Sequence, residues 1–295
     1  MIGNLSRDVV GRGPPRVGGG PYYAARALRL LGGRAALAVR CSRDDRAAFL
    51  PPLIALGLPV AWRATAETST FSFRYEGERR LMSVEAVGEP WTPEDVRGWA
   101  RDALGRADWV HAAPLLRSDF PAATLAELAR GRRISFDGQG LVRRPEVGPL
   151  QLDAEFDPDV LRYVSILKLA EEEAQVLVGG LDEASLTGLG VAEVVVTLGS
   201  RGSVVLAGGR LEHVTARPVK GRVDPTGAGD AYRAGLVAAL LRGLPPATAG
   251  RIASLASAYV VEQGGTIEHR YTIAEFVERY RSAFGVALPE AFAAN

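Results

Sequence analysis

The 295-residue chain is poor in several residue types, and each shortage narrows the choice of protein class. Cys41 is its one cysteine, so no disulfide can form within the chain, and we expect a reducing compartment, the cytoplasm. Lys168 and Lys220 are its two lysines, so 33 of the 35 basic residues are arginines, a bias typical of GC-rich genomes. The net charge is only +1, so no global field attracts nucleic acid or a membrane surface.

Several familiar motifs are also missing. No apolar run approaches the ~18 residues of a membrane span, and no signal-peptide pattern opens the chain. The three histidines do not stand at metal-ligand spacing, which favours ordinary structural roles for them. The absence of GxxxxGK[ST] excludes a P-loop kinase, and the absence of GxGxxG after a first strand argues against a nicotinamide enzyme. No predicted helix has the basic flanks of a DNA-reading element, so we expect neither nucleic acid nor membrane as a partner.

What the sequence does contain from residue 92 onward is an alternation of strands and helices. Thr92-Pro93 predicts a helix start, with an N-cap followed by proline at the first helical position. The predicted strands here are Trp109–Ala112, Arg133–Asp137, residues 164–167, Glu193–Thr197 and Ser203–Ala207. This alternation predicts a mostly parallel sheet covered on both faces, in one domain spanning residues 1–295.

The first third of the chain contains a segment of different texture. In residues 68–75, β-branched and aromatic residues alternate with polar ones, and a turn at residues 76–78 predicts a hairpin. We interpret residues 9–18 and 60–86 as a small β-lid. Phe71 and Phe73 then either close over an apolar substrate face or a second subunit, or pack in the core. Met1-Ile2-Gly3-Asn4 resembles the end of a buried strand, so either the first strand is short or translation starts upstream.

The most informative segment is Asp224-Pro225-Thr226-Gly227-Ala228-Gly229-Asp230, which precedes a helix-forming run. The first amides of a helix have no partner within it and carry partial positive charge. Glycine lets the backbone approach an anion closely, so this segment suits a phosphate. Asp230, in the first helical turn, can accept a proton there. The pattern therefore indicates phosphoryl transfer, although Asp230 alone would also suit a simple helix cap.

Residues 224–237, DPTGAGDAYRAGLV, resemble the C-terminal signature of the ribokinase-like (PfkB) carbohydrate kinase family along its whole length. The resemblance implies a ribokinase-like three-layer α/β sandwich with a mostly parallel central sheet and a small β-lid. It also implies ATP-dependent phosphorylation of a hydroxyl, with Mg²⁺. In that family the final aspartate is the catalytic base and the preceding glycines form the anion hole. Carried over, these are Asp230 and the segment Gly227-Ala228-Gly229.

Two further segments resemble the nucleotide side of that family. Thr197-Leu198-Gly199-Ser200-Arg201-Gly202 is similar to its TLGxxG turn, which implies nucleotide contact by Thr197, Gly199 and Gly202, together with Lys168 and Thr226. Lys168-Leu169-Ala170-Glu171-Glu172-Glu173 is similar to its KPNxxE segment, so Glu173 matches the glutamate that helps place Mg²⁺. Ala170 replaces the usual asparagine. The three glutamates would also simply suit the dipole of a helix start.

The substrate side matches the family in part. Ser6 and Asp8 lie where the family carries sugar-binding polar residues, and a carboxylate suits a polyol because it accepts two hydroxyl hydrogen bonds. Gly19 and Gly20 match a Gly-Gly turn before a helix, where Tyr23, or Tyr22, takes the place of the asparagine usual in the family. The final substrate-side residue is Arg143, after a strand that ends in a carboxylate; it suits a transferring phosphate, or is simply a loop arginine.

These resemblances predict an ATP-dependent kinase acting on a sugar or an inositol-like polyol. A nucleoside kinase of the same fold and a non-catalytic sugar or nucleotide sensor are the alternatives, the latter because of Ala170. The lids of this family often pair between subunits, which suggests a homodimer. A monovalent-cation site near Asp224 and residues 262–266 is also compatible with the resemblance.

Overall fold

The fold is built from two β-sheets and flanking helices. The structure, a computed structural model, describes residues 1–76, 79–105, 107–216, 219, 227–263 and 269–293. The strands in these residues are β1 Ile2–Asn4, β2 Ser6–Val10, β3 Arg16–Gly18, β4 Leu37–Ser42, β5 Val60–Thr65, β6 Ser69–Glu76, β7 Arg79–Ala86, β8 Trp109–Ala112, β9 Arg133–Asp137, β10 Gly148–Pro149, β11 Ile166–Ala170, β12 Glu193–Thr197, β13 Ser203–Ala207 and β14 Arg210–Val214.

The helices divide into those near the N-terminus, those of the middle and those of the C-terminal third. They are α1 Gly20–Leu30, α2 Arg46–Ile54, α3 Pro93–Arg97, α4 Arg101–Leu104, α5 Ala122–Leu128, α6 Gln139–Val142, α7 Glu171–Val178, α8 Glu183–Thr187, α9 Ala228–Leu240, α10 Pro246–Gln263, α11 Ile273–Phe284 and α12 Glu290–Ala293. Two short 3₁₀ helices lie at Pro158–Tyr163 and Gly199–Arg201. No helix of the described ranges is long and apolar enough to cross a membrane.

The large sheet has nine strands in the order β14-β13-β12-β11-β9-β8-β1-β4-β5. Its pairs from β12 to β5 are parallel, and the β12–β13–β14 edge is antiparallel. A parallel sheet needs both faces covered, and strand β12 shows how the sequence provides this. Val194 and Val196 pack into one apolar cluster, and Val195 packs into another on the opposite face. The mostly parallel sheet predicted from the alternating pattern is confirmed.

Helices cover both faces of this sheet, so the chain has three layers. Buried residues of α5 and of the short helices before it form one cluster with the sheet. Helices α1, α9, α10 and α11 supply most of the other. Helices α9 and α10 pack closely because small residues lie between them, and a Cβ on Gly235 would come within 2.9 Å of Ala253 Cα. The predicted three-layer α/β sandwich is thus confirmed.

The second sheet has five strands in the order β10-β7-β6-β2-β3. One part of the predicted lid lies elsewhere: Val60–Thr65 pairs in parallel with Leu37–Ser42, so these residues form the edge of the large sheet. Their apolar residues Val60 and Trp62 pack against the cluster that holds Phe49 and Leu53 of α2, which explains the placement.

The aromatic residues of the predicted hairpin lie inside the protein. Phe71 and Phe73 are buried together with Val84, Leu115 and Leu116, between the small sheet and the loop after β8. Of the two roles that the sequence allowed, core packing is therefore the one observed. This small core attaches the second sheet to the rest of the protein.

Candidate active site

The start of α9 has the geometry that the glycine-rich motif predicts. Gly227 is the N-cap and has φ 79°, a left-handed conformation that favours glycine. The first hydrogen bond of the helix runs from the amide of Ala231 to the carbonyl of Gly227. The amides of Ala228, Gly229 and Asp230 therefore have no partner within the helix and are available to an anion.

A lysine strengthens the positive potential at this helix start. Lys168, on β11, is buried, and a Cβ on Gly229 would lie 3.2 Å from Lys168 Nζ. The same Nζ lies 3.9 Å from Asp137 Oδ1, at the end of β9. An ammonium and helix amides thus converge on one point, which suits the charge of a transferring phosphoryl group. Lys168 was predicted from the sequence as a nucleotide-binding residue, whereas Asp137 was not assigned a role.

Asp230 lies at this helix start with its side chain only 17% exposed. Burial raises its pKa from 3.8 to about 6, although nearby Arg233, Lys168 and Arg143 lower it. Its Oδ1 accepts a hydrogen bond from Arg233 Nη2 at 3.1 Å. No described residue bonds to its other oxygen, Oδ2. A carboxylate with a pKa near neutrality and one oxygen available is suited to accept a hydroxyl proton.

The substrate-side residues form one hydrogen-bonded group. Asp8 Oδ1 accepts a hydrogen bond from Ser6 Oγ at 2.7 Å, and Asp8 Oδ2 accepts one from Tyr23 Oη at 3.1 Å. Gly18 has no room for a Cβ beside this carboxylate, so the turn must carry glycine there. The tyrosine in place of the usual amide side chain therefore hydrogen-bonds to the predicted acceptor-binding aspartate.

The turn before α1 brings this group close to the candidate base. Gly19 has φ 105°, and a Cβ there would lie 2.8 Å from the carbonyl oxygen of Asn4. A Cβ on Gly20 would lie 3.1 Å from Asp230 Oδ1. Gly20 therefore faces Asp230, while Gly18 faces Asp8. The glycine turn lies along the path from the substrate-side carboxylate to the base.

A cavity of about 730 Å³ lies on the opposite side of the α9 start. Four of the predicted nucleotide-binding residues, Lys168, Thr197, Gly199 and Gly202, line it together with the anion-hole residues Ala228 and Gly229. Gly202 has φ 97°, and a Cβ there would collide with the backbone after β14. Helix α10 also lines the cavity, which the sequence did not indicate. Its four lining residues are Ser254, Ser257, Ala258 and Val261.

Glu173 and Arg143 lie at the edge of this arrangement. Glu173 is buried, and its Oε2 accepts the amide of Ala170 at 2.8 Å, so it caps its own helix. Burial raises its pKa, while Lys168 and Arg143 lower it. The positive charge of Arg143 thus lowers the pKa of both Glu173 and Asp230. Thr226, Asp224 and residues 264–266 lie outside the described residues, so the predictions made for them stay predictions.

The hydrogen bond from Tyr23 to Asp8 gives a first testable prediction. Tyr23→Phe removes one donor to a buried carboxylate, an interaction worth about 1.5–3 kcal/mol. We expect the kcat/KM for the acceptor to fall by about tenfold or more, while the KM for the donor stays unchanged. Steady-state kinetics with each substrate varied in turn measures both quantities.

The matched control for this substitution is Tyr280→Phe in α11. Tyr280 is buried but packs in the apolar cluster around Phe276, far along the chain from the turn. An equal loss in both variants would show that the effect is one of stability and not of acceptor binding.

Comparison with known proteins identifies the family to which the chain is similar. The family model for pfkB family carbohydrate kinases matches residues 10–272. A nucleoside kinase from Methanothermobacter thermautotrophicus is 38% identical over 37% of this chain, a match that spans only 35% of that relative's length. A fructokinase from Klebsiella pneumoniae is 27% identical over 88% of this chain and 89% of its own.

A solved structure gives the corresponding result for the fold. A pyrophosphate-dependent kinase of the ribokinase family, complexed with a pyrophosphate analogue and myo-inositol, superposes with a TM-score of 0.76 at 24% identity. The superposition covers 92% of this chain and 95% of that one. Given the match to the family model over most of its length, the chain belongs to the pfkB family of carbohydrate kinases.

Proposed function

We propose that the protein transfers the terminal phosphoryl group of ATP to a hydroxyl of a small polyol, with an inositol-like ring as the favoured acceptor. The observation that carries this proposal is the position of Asp230. It lies at the helix start that borders the cavity of about 730 Å³, which we call the donor cavity. It also faces the glycine turn that leads to Asp8. A base located between two such sites is what transfer between two substrates requires.

The shape of the donor cavity favours a nucleotide over pyrophosphate. Its phosphate end is formed by Lys168, Gly229 and the α9 amides. Glu171 and Glu172 line one part of the rest, and small or apolar residues line another, namely Ala216, Val219, Ser254, Ser257, Ala258 and Val261. A volume of about 730 Å³ is within the usual range of small-molecule sites, and an apolar slot suits a base ring. Pyrophosphate would leave that slot unused.

The acceptor side favours a ligand rich in hydroxyls. The Asp8 carboxylate is 9% exposed, and Ser6 and Tyr23 each fix one of its oxygens. A carboxylate only accepts hydrogen bonds, so the Asp8 side chain is chemically suited to the hydroxyl donors of a polyol. This geometry supports a polyol as the acceptor.

The proposed reaction needs few protein groups. Asp230 Oδ2 takes the proton of the acceptor hydroxyl as its oxygen bonds to the γ-phosphorus. The bond from that phosphorus to the β,γ-bridging oxygen breaks, so the products are a phosphate monoester, ADP and a proton. Lys168 and the free amides of Ala228 and Gly229 stabilise the charge on the phosphoryl oxygens. Burial of the site limits competition by water as acceptor.

The residues present are compatible with Mg²⁺ held mainly by the substrates. No three histidine, cysteine or acidic side chains of the described residues converge on one metal position. Mg²⁺ in phosphoryl-transfer sites is usually held by one or two carboxylates, phosphates and water, so no protein cage is needed. Glu173 would supply the carboxylate, through water, because its Oε2 already accepts the amide of Ala170. When bound, Mg²⁺ would neutralise phosphate charge.

A second acceptor class, the nucleosides, has its own supporting observation. The local match to a nucleoside kinase, at 38%, has a higher identity than the match to the fructokinase over most of the chain. The rings of Tyr22 and Tyr23 also lie next to each other, with centroids 5.7 Å apart, but both are almost fully buried. Buried rings offer little face for stacking a base, so the polyol is preferred.

A two-way substrate panel tests the proposal. ATP and pyrophosphate are each combined with myo-inositol, fructose, ribose, adenosine and inosine, and the phosphorylated products are identified by mass spectrometry. We expect ATP with an inositol or sugar to give the highest kcat/KM. Turnover with pyrophosphate alone would contradict the donor assignment, and turnover with nucleosides alone would contradict the acceptor. No turnover, combined with ligand-induced thermal stabilisation, would favour a sensor. Sedimentation of the same sample tests the predicted homodimer.

A further inference from the structure

We infer that Arg233 is a positioning residue that fixes the candidate base Asp230 and directs one of its carboxylate oxygens to the acceptor. This inference rests on the proposed function, because it assigns Arg233 a role towards the base of that reaction. Arg233 was not among the residues predicted from the sequence. Its position three residues after Asp230 places both side chains on the same face of α9.

The contacts of Arg233 form a buried bridge. Its side chain is 1% exposed. Nη2 forms an ion pair with Asp137 Oδ2 and donates to Asp230 Oδ1 at 3.1 Å. Nη1 lies 3.1 Å from His111 Nε2. Two of these anchors, His111 and Asp137, come from the neighbouring strands β8 and β9, so the large sheet fixes the guanidinium independently of α9.

The contact with Arg233 also determines which ring nitrogen of His111 carries the proton. A guanidinium can only donate hydrogen bonds, so His111 Nε2 must accept, and a neutral ring must carry its proton on Nδ1. Burial and the positive charge of Arg233 lower the pKa of His111 well below its usual value, which keeps the ring neutral. Neutral His111 is therefore an anchor that adds no second cation beside Arg233.

The bridge leaves the two oxygens of Asp230 unequal. Oδ1 is held by Arg233, and no described residue bonds to Oδ2. A carboxylate fixed at one oxygen cannot rotate freely, so the free oxygen keeps one direction. Small misalignments of a catalytic group cost about 10²-fold in rate, which makes this fixing useful for transfer.

The charged groups around Asp230 determine how its pKa would change if Arg233 were replaced. Arg233 is the strongest of the groups that lower the pKa of Asp230, followed by Lys168 on β11 and Arg143 after α6, while Asp137 on β9 raises it. Glu173 on α7 adds negative charge near Asp137. The N-terminal amine faces His111, but burial lowers the pKa of this amine to about 5. Without Arg233, the cations of the described residues that oppose burial and Asp137 would be Lys168 and Arg143, which each lower this pKa less than Arg233 does. The pKa of Asp230 would then rise above about 6.

Two variants of Arg233 test the inference. Arg233→Met keeps an unbranched apolar stem but removes the charge and the donors of the guanidinium, whereas Arg233→Lys keeps the charge and one attachment point. For Arg233→Met we expect the acidic limb of the kcat–pH profile to move up by about one pH unit or more. At pH 8 we expect kcat to fall by about 10- to 100-fold, with acceptor KM changed by less than about threefold. Arg233→Lys should restore the position of the limb but only part of kcat.

Arg40→Met is the matched control. Arg40 is also buried and paired with a carboxylate, Asp95, but neither residue contacts Asp230. Both methionine variants should lower Tm, and only Arg233→Met should move the acidic limb. An unmoved limb in Arg233→Met, or an equal shift in Arg40→Met, would overturn the inference.

A measurement independent of turnover separates this inference from the proposed function. The carboxyl carbon of Asp230, labelled with ¹³C, is titrated by NMR in the wild type and in Arg233→Lys and Arg233→Met. A higher pKa in Arg233→Met supports the inference even if none of the panel substrates is phosphorylated. If that variant does not fold, Arg233→Lys carries the test, because its point charge cannot hold all three anchors. An unchanged pKa in Arg233→Lys with unchanged kcat would then sink the inference.

Discussion

Asp230→Asn is expected to lower kcat by about 10³-fold while nucleotide affinity changes by less than about threefold. Asparagine is nearly the same size and can still accept the hydrogen bond from Arg233, so the geometry of the α9 start is retained. It cannot accept a proton from the acceptor hydroxyl, however. Single-turnover kinetics measures the loss of the chemical step, and calorimetry with a non-hydrolysable ATP analogue measures nucleotide binding.

The same substitution should change the pH dependence of stability. Burial raises the pKa of Asp230 from 3.8 to about 6, so between these values the folded protein holds a proton that the unfolded chain has lost. This residue therefore makes stability fall as pH rises from about 4 to about 7, by about 3 kcal/mol in total. Asp230→Asn removes this decrease. We expect the variant to gain unfolding free energy relative to wild type as pH rises, in urea titrations at several pH values.

Asp182→Asn serves as the control for this pair of measurements. Asp182 caps the short helix α8 through the amide of Ser185, and its pKa is lowered by those bonds, the opposite of Asp230. Its substitution should leave kcat unchanged. Wild-type turnover by Asp230→Asn would remove Asp230 from the role of base and support the simpler interpretation as a helix cap.

The sequence predicted most individual strands of the large sheet because the relevant signals are local. Alternating apolar runs and capping residues act within a few positions, so the helix start at Thr92-Pro93 and the strands Trp109–Ala112 and Arg133–Asp137 were predicted as observed. The strand predicted at residues 164–167 lies instead at Ile166–Ala170. A 3₁₀ helix at Pro158–Tyr163 uses the preceding residues, and apolar content alone does not fix where a strand begins.

The pairing of distant strands could not be predicted in the same way. Residues 60–65 show the same alternation of apolar and polar residues as the hairpin that follows. No local sequence signal indicates with which strand they pair. They join β4 because Val60 and Trp62 complete the apolar cluster around α2. The small sheet receives β10, residues 148–149, from a loop that no strand pattern identified.

The residues of the candidate site also differ in whether local sequence signals or only long-range contacts reveal them. Asp8, Lys168 and Asp230 stand in glycine-rich or motif-like segments, whose residue types by themselves indicate phosphate or hydroxyl binding. Arg233 and His111 stand in an apolar helix and an apolar strand, and their roles depend on contacts between residues 122 positions apart. The one available signal for Arg233 was an arginine within a helical run of small and apolar residues, three positions after the candidate base.

A substitution in helix α10 is also expected to lower activity strongly, because small residues of this helix line the donor cavity. Ser257→Phe places an aromatic ring where the base of a nucleotide would lie, away from Lys168 and the α9 amides that form the phosphate end. We expect kcat/KM for ATP to fall by about 100-fold or more, because the ring occupies space that the nucleotide base needs. Acceptor binding should be unchanged, since Asp8 and Tyr23 are not among the residues that line this cavity.

The two phosphate donors respond differently to this substitution, and that difference makes the experiment decisive. Pyrophosphate has no base and would occupy only the phosphate end, so its use would survive Ser257→Phe. Thr248→Phe inserts the same ring in α10 at a position that does not line the cavity, and it reports any general damage to the helix. Loss of ATP turnover in Ser257→Phe alone supports a nucleotide donor. Unchanged ATP turnover would mean that the nucleotide base lies elsewhere, and the proposed use of the apolar slot would be wrong.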